Sequence, residues 1–247
     1  MSEDFIVKNS GEVLDITINH PGRGNGMSDP MIVELADLVE KEGDKARLIV
    51  IRGAGADFCV GRASMGAPRP AGLDALETRG ISDHVFRCYG IFRACKAPIL
   101  AVVRGQAAGF GFALAAAADI TIAADTAKFS IPEFNHGIMP TMVMSSMIDR
   151  VPMKALMYHV WTSKVISAEK AMEIGAVSEV VPEADLDATA QAFIDRMLQF
   201  KRPAVLAVKE YGVNAQAIDM SKAVSFARSL HAMVNSAKEM KRSEGHK

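Results

Sequence analysis

Charge imbalance is the first thing this sequence lacks. Lysine and arginine number 28 against 29 acidic residues, a formal net charge of −1. No global field therefore draws the chain to nucleic acid or to an anionic membrane, and no lysine-rich comb suggests RNA. Basic residues can still gather locally around a phosphorylated ligand. Cysteine is scarce: Cys59, Cys88 and Cys95 make three, none in a Cys-x-x-Cys pair. That odd count argues against a disulfide framework and reads as small buried hydrophobes. His20, His84, His136, His159, His231 and His246 lack zinc-ligand spacing, so no metal is expected. Also missing are a Walker A lysine motif, a Gly-x-Ser-x-Gly elbow, an internal repeat and a low-complexity tract. Long hydrophobic runs are absent too. The longest low-charge stretch, Gly105 to Ala118, is short and broken by glycine. The acidic start Met1-Ser2-Glu3-Asp4 is unlike a signal peptide. The expectation is a soluble cytoplasmic protein.

What is present is a core. With 247 residues, 49% hydrophobic and 23% charged, the chain suits one large α/β domain or two modest ones. Phe5–Lys8 and Val13–Ile18, joined by Asn9-Ser10-Gly11, read as a β-hairpin. His20 to Gly26 reads as a loop, after which Ser28 or Asp29 caps a helix with Pro30 in its first turn. Ile32, Leu35, Ala36 and Val39 give that helix one buried face. Leu48–Gly53, Ile99–Val103 and Ile120–Ala123 are apolar runs that read as strands buried on both faces. Helical segments lie between them, which predicts an α/β core of mainly parallel strands.

Between Ala63 and Gly80, clustered glycine and proline predict a long surface loop, either a ligand clamp or a plain connection. Beyond Pro140 the pattern is helical near 141–149, 153–161, 168–174, 185–200, 204–215 and 221–241, interrupted by a strand at Val177–Val181. Val205, Val208 and Ala217 fall on a possible docking face for a C-terminal cap. Residues 1–200 are expected to form the core and 201–247 a C-terminal helical region.

Two loops carry the chemistry. One is Asp57-Phe58-Cys59-Val60-Gly61-Arg62-Ala63-Ser64; the other is Val103-Arg104-Gly105-Gln106-Ala107-Ala108-Gly109-Phe110-Gly111-Phe112-Ala113. Each brings glycine to a strand end, and the second runs into an alanine-rich helix. Glycine there lets backbone approach a ligand and frees N–H groups at a helix start. Two such loops face to face would hold an oxyanion between two amides. Gly109-Phe110-Gly111 lacks the third glycine of a dinucleotide fingerprint. Glu133 lies between prolines and among apolar residues. It is either a desolvated carboxylate suited to proton transfer or a surface glutamate in a loop. His136 either orients it or forms wall. Met139, Met142, Val143 and Met144 are either ordinary core or an adaptable apolar wall.

Taken in order, these pieces resemble the crotonase superfamily, the enoyl-CoA hydratase/isomerase family, over roughly Phe5 to Ser236. The marks are Asn25-Gly26-Met27, Phe58-Cys59-Val60-Gly61, Ala97-Pro98 through Arg104-Gly105, Gly109-Phe110-Gly111 and Ala118-Asp119-Ile120. Phe129 through Glu133, Gly137 through Pro140, Ala168 through Val177 and Val180-Val181-Pro182 complete them. The resemblance implies a spiral of ββα units with C-terminal helices that form trimers, or hexamers of paired trimers. It implies an acyl-CoA thioester as substrate, with no separate cofactor. It assigns the backbone N–H groups of Arg62 and Phe110 to an oxyanion hole. Glu133 becomes the catalytic acid/base, and the backbone around Val60 and Ala63 lies near the CoA adenine. Gly61, Gly109, Ala113, His136 and Met139 join the expected substrate surface.

The departures are informative. Hydratases of the family place a second glutamate where this chain has Ala113. A single acid still shuttles a proton between two carbons, which resembles the Δ3,Δ2-enoyl-CoA isomerases. Arg62 and Phe110 stand where small residues are common, with Arg62 expected to reach CoA phosphate or narrow the pocket. The leading expectation is an isomerase. A hydratase, hydrolase or decarboxylase on the same scaffold is the alternative. A non-catalytic acyl-CoA binder or oligomeric scaffold is the alternative of another class.

Overall fold

The computed structural model describes residues 3–63 and 72–240. Its strands and helices follow in the order β1 (Phe5–Asn9), β2 (Val13–Ile18), α1 (Asp29–Gly43), β3 (Leu48–Gly53), α2 (Ala75–Gly80), α3 (Asp83–Ala94), β4 (Ile99–Val103), β5 (Gln106–Ala108), α4 (Phe110–Ala117), β6 (Ile120–Ala124) and β7 (Lys128–Ser130). Then come α5 (Thr141–Met147), α6 (Met153–Thr162), β8 (Ile166–Ser167), α7 (Ala168–Glu173), β9 (Glu179–Val181), α8 (Leu186–Gln199), α9 (Arg202–Asn214) and α10 (Met220–Ser236).

A six-stranded sheet runs β1-β2-β3-β4-β6-β9. The hairpin pair β1/β2 is antiparallel and every later pair is parallel. The apolar runs explain this. Leu48–Ile51 and all of β4 are buried, as a parallel sheet covered on both faces requires. A smaller three-stranded sheet, β5-β7-β8, lies apart from it. Each of β4 and β6 is followed at once by a strand of the small sheet and then by a helix or helical turn. The chain thus alternates between the sheets in ββα units.

Helix α1 begins as its sequence indicates. Ser28 is the N-cap and accepts the Met31 N–H, with Pro30 in the first turn. Ile32, Leu35, Ala36 and Val39 are fully buried against the sheet. Helix α4 is buried along its whole length. It has no polar face, as a helix in the middle of a core should not.

Three sequence expectations need correction. The loop expected from Ala63 to Gly80 ends early, because Ala75–Gly80 is helical. Asp74 caps that turn by accepting the Glu77 N–H, and Glu77 answers by accepting the Asp74 N–H. The expected loop's 64–71 portion lies outside the described residues. The docking face expected at Val205, Val208 and Ala217 also breaks up. Val205 is buried, Val208 is exposed, and Ala217 sits in a 3-10 turn beyond α9. The inward partner of Val205 is Lys209, four residues on. Its Nζ donates to Phe92 O (2.9 Å) and Ala97 O (3.0 Å) and pairs with Asp119 Oδ2 at 2.8 Å. The strand expected at Val177–Val181 is shorter, Glu179–Val181. No helix among the described residues is long and apolar enough to cross a membrane.

Candidate functional site

The two glycine loops meet at the C-terminal ends of the parallel strands. Cys59 forms a parallel bridge with Ala107: its N–H donates to Gln106 O (3.1 Å) and its carbonyl accepts the Ala108 N–H (3.0 Å). On the other side Met27 bridges Arg62, donating to Gly61 O (2.9 Å) and accepting from the Ala63 N–H (2.8 Å). Buried Asn25 holds this arrangement. Its Nδ2 donates to Ala54 O and Asp57 O, and its Oδ1 accepts the His20 N–H.

Two amides are left over by this geometry. In the Met27 bridge residues 61 and 63 make the bonds, so the Arg62 N–H points the other way. Phe110 opens α4, where first-turn N–H groups have no helical acceptor. Neither N–H finds a protein acceptor among the described residues. The start of α4 is drawn close to the first loop because residue 111 is glycine: a Cβ there would stand 2.0 Å from Cys59 O. The Gly109 N–H donates to Ser130 O at 2.9 Å, tying α4 to the end of β7.

From β7 the chain passes through Ile131 and Pro132 into a 3-10 turn, Glu133–His136. This carries Glu133 inward to 5% exposure. Its Oε2 is buried and has no hydrogen-bond partner among the described residues. Its Oε1 lies over Gly109, where a Cβ would come within 2.7 Å of it. Burial pushes the carboxyl above its ordinary 4.5, opposed by a hydrogen bond from its own backbone and by the charge of His136. The surface-glutamate alternative does not describe this side chain.

The remaining expected residues are distributed as follows. Gly61 and Gly109 belong to the backbone of the two loops, and half-buried Val60 donates its N–H to Gly24 O (3.0 Å). Ala63 is exposed at the edge of the undescribed stretch. Ala113 is completely buried in α4. His136 and Met139 are exposed on the rim around Glu133. Of the expected apolar wall, Val143 is buried and Met142 and Met144 are half-buried against the core.

The Arg62 side chain turns toward α1, where its Nη2 donates to Asp29 Oδ1 at 2.7 Å. His84 Nε2 lies 3.3 Å from the same oxygen. Cys59 is completely buried, which pushes its thiol up to about 12 and keeps it in the less reactive protonated form. No group of three or more His, Cys, Asp or Glu among the described residues is arranged to hold a metal ion. Among the described residues the two loops thus offer two amides without a protein acceptor, and Glu133 a desolvated carboxylate; such parts suit the movement of a proton next to a carbonyl.

Comparison with known proteins gives the fold and the family. The family model described as enoyl-CoA hydratase/isomerase matches residues 8–247. The hydroxycinnamoyl-CoA hydratase-lyase of Pseudomonas fluorescens is 30% identical over 202 residues, 80% of this chain and 73% of its own. The crystal structure of an enoyl-CoA hydratase from Mycobacterium smegmatis superposes with a TM-score of 0.89 at 21% identity, covering 97% of this chain and 93% of that one. A Thermobifida fusca protein described as an enoyl-CoA hydratase, crystallised with CoA, superposes with a TM-score of 0.83 at 27% identity, covering 94% and 92%. The fold is the crotonase fold, and the chain belongs to the enoyl-CoA hydratase/isomerase family of acyl-CoA enzymes.

Proposed function

We propose that this enzyme shifts a double bond beside a CoA thioester, with Glu133 as its single acid/base. The Glu133 carboxylate takes a proton from the carbon between the thioester carbonyl and a 3,4 double bond. The C–H electron pair moves into the carbonyl, giving a dienolate whose oxygen accepts from the Arg62 and Phe110 N–H groups. The protonated carboxyl then returns the proton to the fourth carbon, which leaves a 2-enoyl thioester. Preorganised donors of this kind are worth about 2.7–4 kcal/mol each. A positioned acid/base contributes about 10²–10⁴-fold.

The observation that carries this reading is the buried, half-unpaired carboxylate of Glu133 lying over Gly109, one residue from the Phe110 amide. Ala113, fully buried and apolar, supports a one-acid mechanism over hydration. Assay of a 3-enoyl-CoA and crotonyl-CoA, with wild type and Glu133→Gln, tests it. Isomerisation lost in the variant, with slow hydration in the wild type, is the expected result. Fast hydration of crotonyl-CoA by the wild type contradicts it.

Hydration is the second reading. The relatives from Pseudomonas fluorescens and Thermobifida fusca both carry hydratase names. We further propose that residues 201–247 mediate assembly into a trimer or a hexamer. Exposed Val208, Met220 and Met233 on α9 and α10 supply an apolar surface for it. A monomer in analytical ultracentrifugation would refute that.

A further inference from the structure

We infer that Tyr89 is a positioning residue of this site: its ring, stacked on Phe110, holds the first turn of α4 so that the Phe110 N–H stays aligned with Glu133. This rests on the reading given under Proposed function. Tyr89 projects inward from α3 with 3% exposure, and Phe110 has 2%. Their ring centroids are 5.4 Å apart with planes inclined at 29°, within the range favoured for stacked aromatic pairs.

The need for such a prop follows from the local chain. Phe110 stands between Gly109 and Gly111. Its ring is therefore the one side-chain handle on that stretch of backbone. The first turn of a helix lacks intrahelical acceptors for its own N–H groups. The turn is fixed instead by what it packs on. Gly109 bonds to Ser130, Gly111 lies against Cys59, and between them the Phe110 ring packs on Tyr89.

Tyr89 also feels the rest of the site. Burial above all pushes its phenol well above the ordinary value; the nearby Glu133 carboxylate adds to this and Arg62 opposes it. The phenol therefore stays protonated, and Tyr89→Phe separates its hydroxyl from its ring. A relation of this kind is invisible in the sequence, where Tyr89 is one apolar position of a helix separated from Phe110 by two strands.

The test measures exchange of the α-protons of butyryl-CoA in D2O, together with the Kd of the same ester. The saturated ester isolates proton abstraction: Glu133 takes the α-proton, the amides hold the enolate oxygen, and a solvent-derived deuteron returns to carbon. Tyr89→Phe keeps the ring and is expected to exchange within about threefold of wild type. Tyr89→Leu removes the stack and is expected to lower the saturated exchange rate by about tenfold or more, with Kd changed less. Phe110→Leu should do the same, and the double variant should be no slower than the slower single.

Wild-type exchange in Tyr89→Leu overturns the inference. So does a double variant whose loss is the product of the two singles, or a Tyr89→Phe enzyme as slow as Tyr89→Leu. Should Tyr89→Leu fail to fold, Phe110→Leu decides, and wild-type exchange in it overturns the stack. Glu133→Gln separates the two readings. If it exchanges normally, or the wild type does not exchange at all, the proposed function falls and this inference with it. If it is dead while Tyr89→Leu is unimpaired, the inference falls alone.

Discussion

The Oε1 of Glu133 occupies the space that a side chain on residue 109 would fill: a Cβ built on Gly109 falls 2.7 Å from it. Gly109 also has φ of +50° and ψ of −115°, a conformation that L-residues rarely adopt. Both facts act on the same atom. Gly109→Ala must move either the carboxylate or the start of α4, and it adds backbone strain of about 1–3 kcal/mol. The expected variant is folded with a lowered melting midpoint and has lost most of its proton-transfer activity. Circular dichroism melting together with the 3-enoyl-CoA assay checks this. Full activity would place the reacting carboxylate elsewhere.

The burial of Glu133 links activity to pH. Burial raises its folded pKa above the ordinary 4.5, so the folded chain holds the proton at pH values where the unfolded chain has lost it. The stability that goes with the neutral carboxyl is present below the unfolded pKa. It is lost as pH rises through the window up to the folded pKa. Glu133→Gln escapes that loss. It should melt higher than wild type at neutral pH, with the advantage shrinking toward pH 4. Its kcat should fall by about 10²–10⁴-fold. In the wild type, kcat/KM should rise with pH along an acidic limb whose inflection lies above 4.5. Paired thermal melts and pH–rate profiles measure both. A variant that melts lower at neutral pH would contradict the desolvated carboxylate.

Much of this was legible in the sequence, for identifiable reasons. The large sheet announces itself because Leu48–Ile51 and Ile99–Val103 are continuous apolar runs, which is what strands covered on both faces require. The small sheet does not, because β5 and β7 have three residues each and β8 has two. Runs that short carry no period. Helix α2 is hidden by the glycine and proline before it, although Asp74 and Glu77 form a readable capping box. Glu133 stands out from its proline-flanked apolar setting. Its unpaired oxygen over Gly109 depends on a contact 24 positions apart in the chain, which spacing does not encode. The Arg62 side chain was expected to reach CoA phosphate or narrow the pocket; its pairing with Asp29 at the start of α1 is a contact 33 positions apart that spacing does not encode.

Lys209 fastens α9 to the body of the protein. Its ammonium is buried and gives its protons to two carbonyls and to Asp119, which also accepts the Ile99 N–H at 2.8 Å. Lys209→Met keeps the stem but leaves the Asp119 carboxylate without its closest cation. Arg150 is 3.6 Å away from the other carboxylate oxygen. Breaking a buried pair from one side costs about 3–5 kcal/mol, on the order of 10 °C in melting midpoint for a chain of this size. Differential scanning calorimetry should register that fall. Because Lys209 lies near the N-terminal ends of β4 and β6, away from Glu133, activity per folded molecule should be preserved. A melting midpoint within a degree of wild type would show that the pair contributes nothing net.

Ala113 is the position at which the one-acid reading is most exposed to contradiction. It sits one turn beyond Phe110 on α4 and is fully buried, so residues 110 and 113 share a helix face. A glutamate there that faces Glu133 sets a second carboxylate beside a desolvated one, and the two disfavour each other's ionisation. Ala113→Glu should therefore lower the melting midpoint, since burying a polar group without a ready partner costs about 1–3 kcal/mol. It should also raise the acidic limb of the pH–rate profile, because Glu133 gains a like-charged neighbour. If the missing second acid is what limits hydration, crotonyl-CoA hydration should rise above the wild-type rate while isomerisation falls. The decisive quantity is the ratio of the two rates in the same preparation, which cancels any loss of folded enzyme. A folded variant whose ratio is unchanged would mean that residue 113 does not face the reacting carbons. The apolar character of α4 would then no longer count as evidence for isomerisation over hydration.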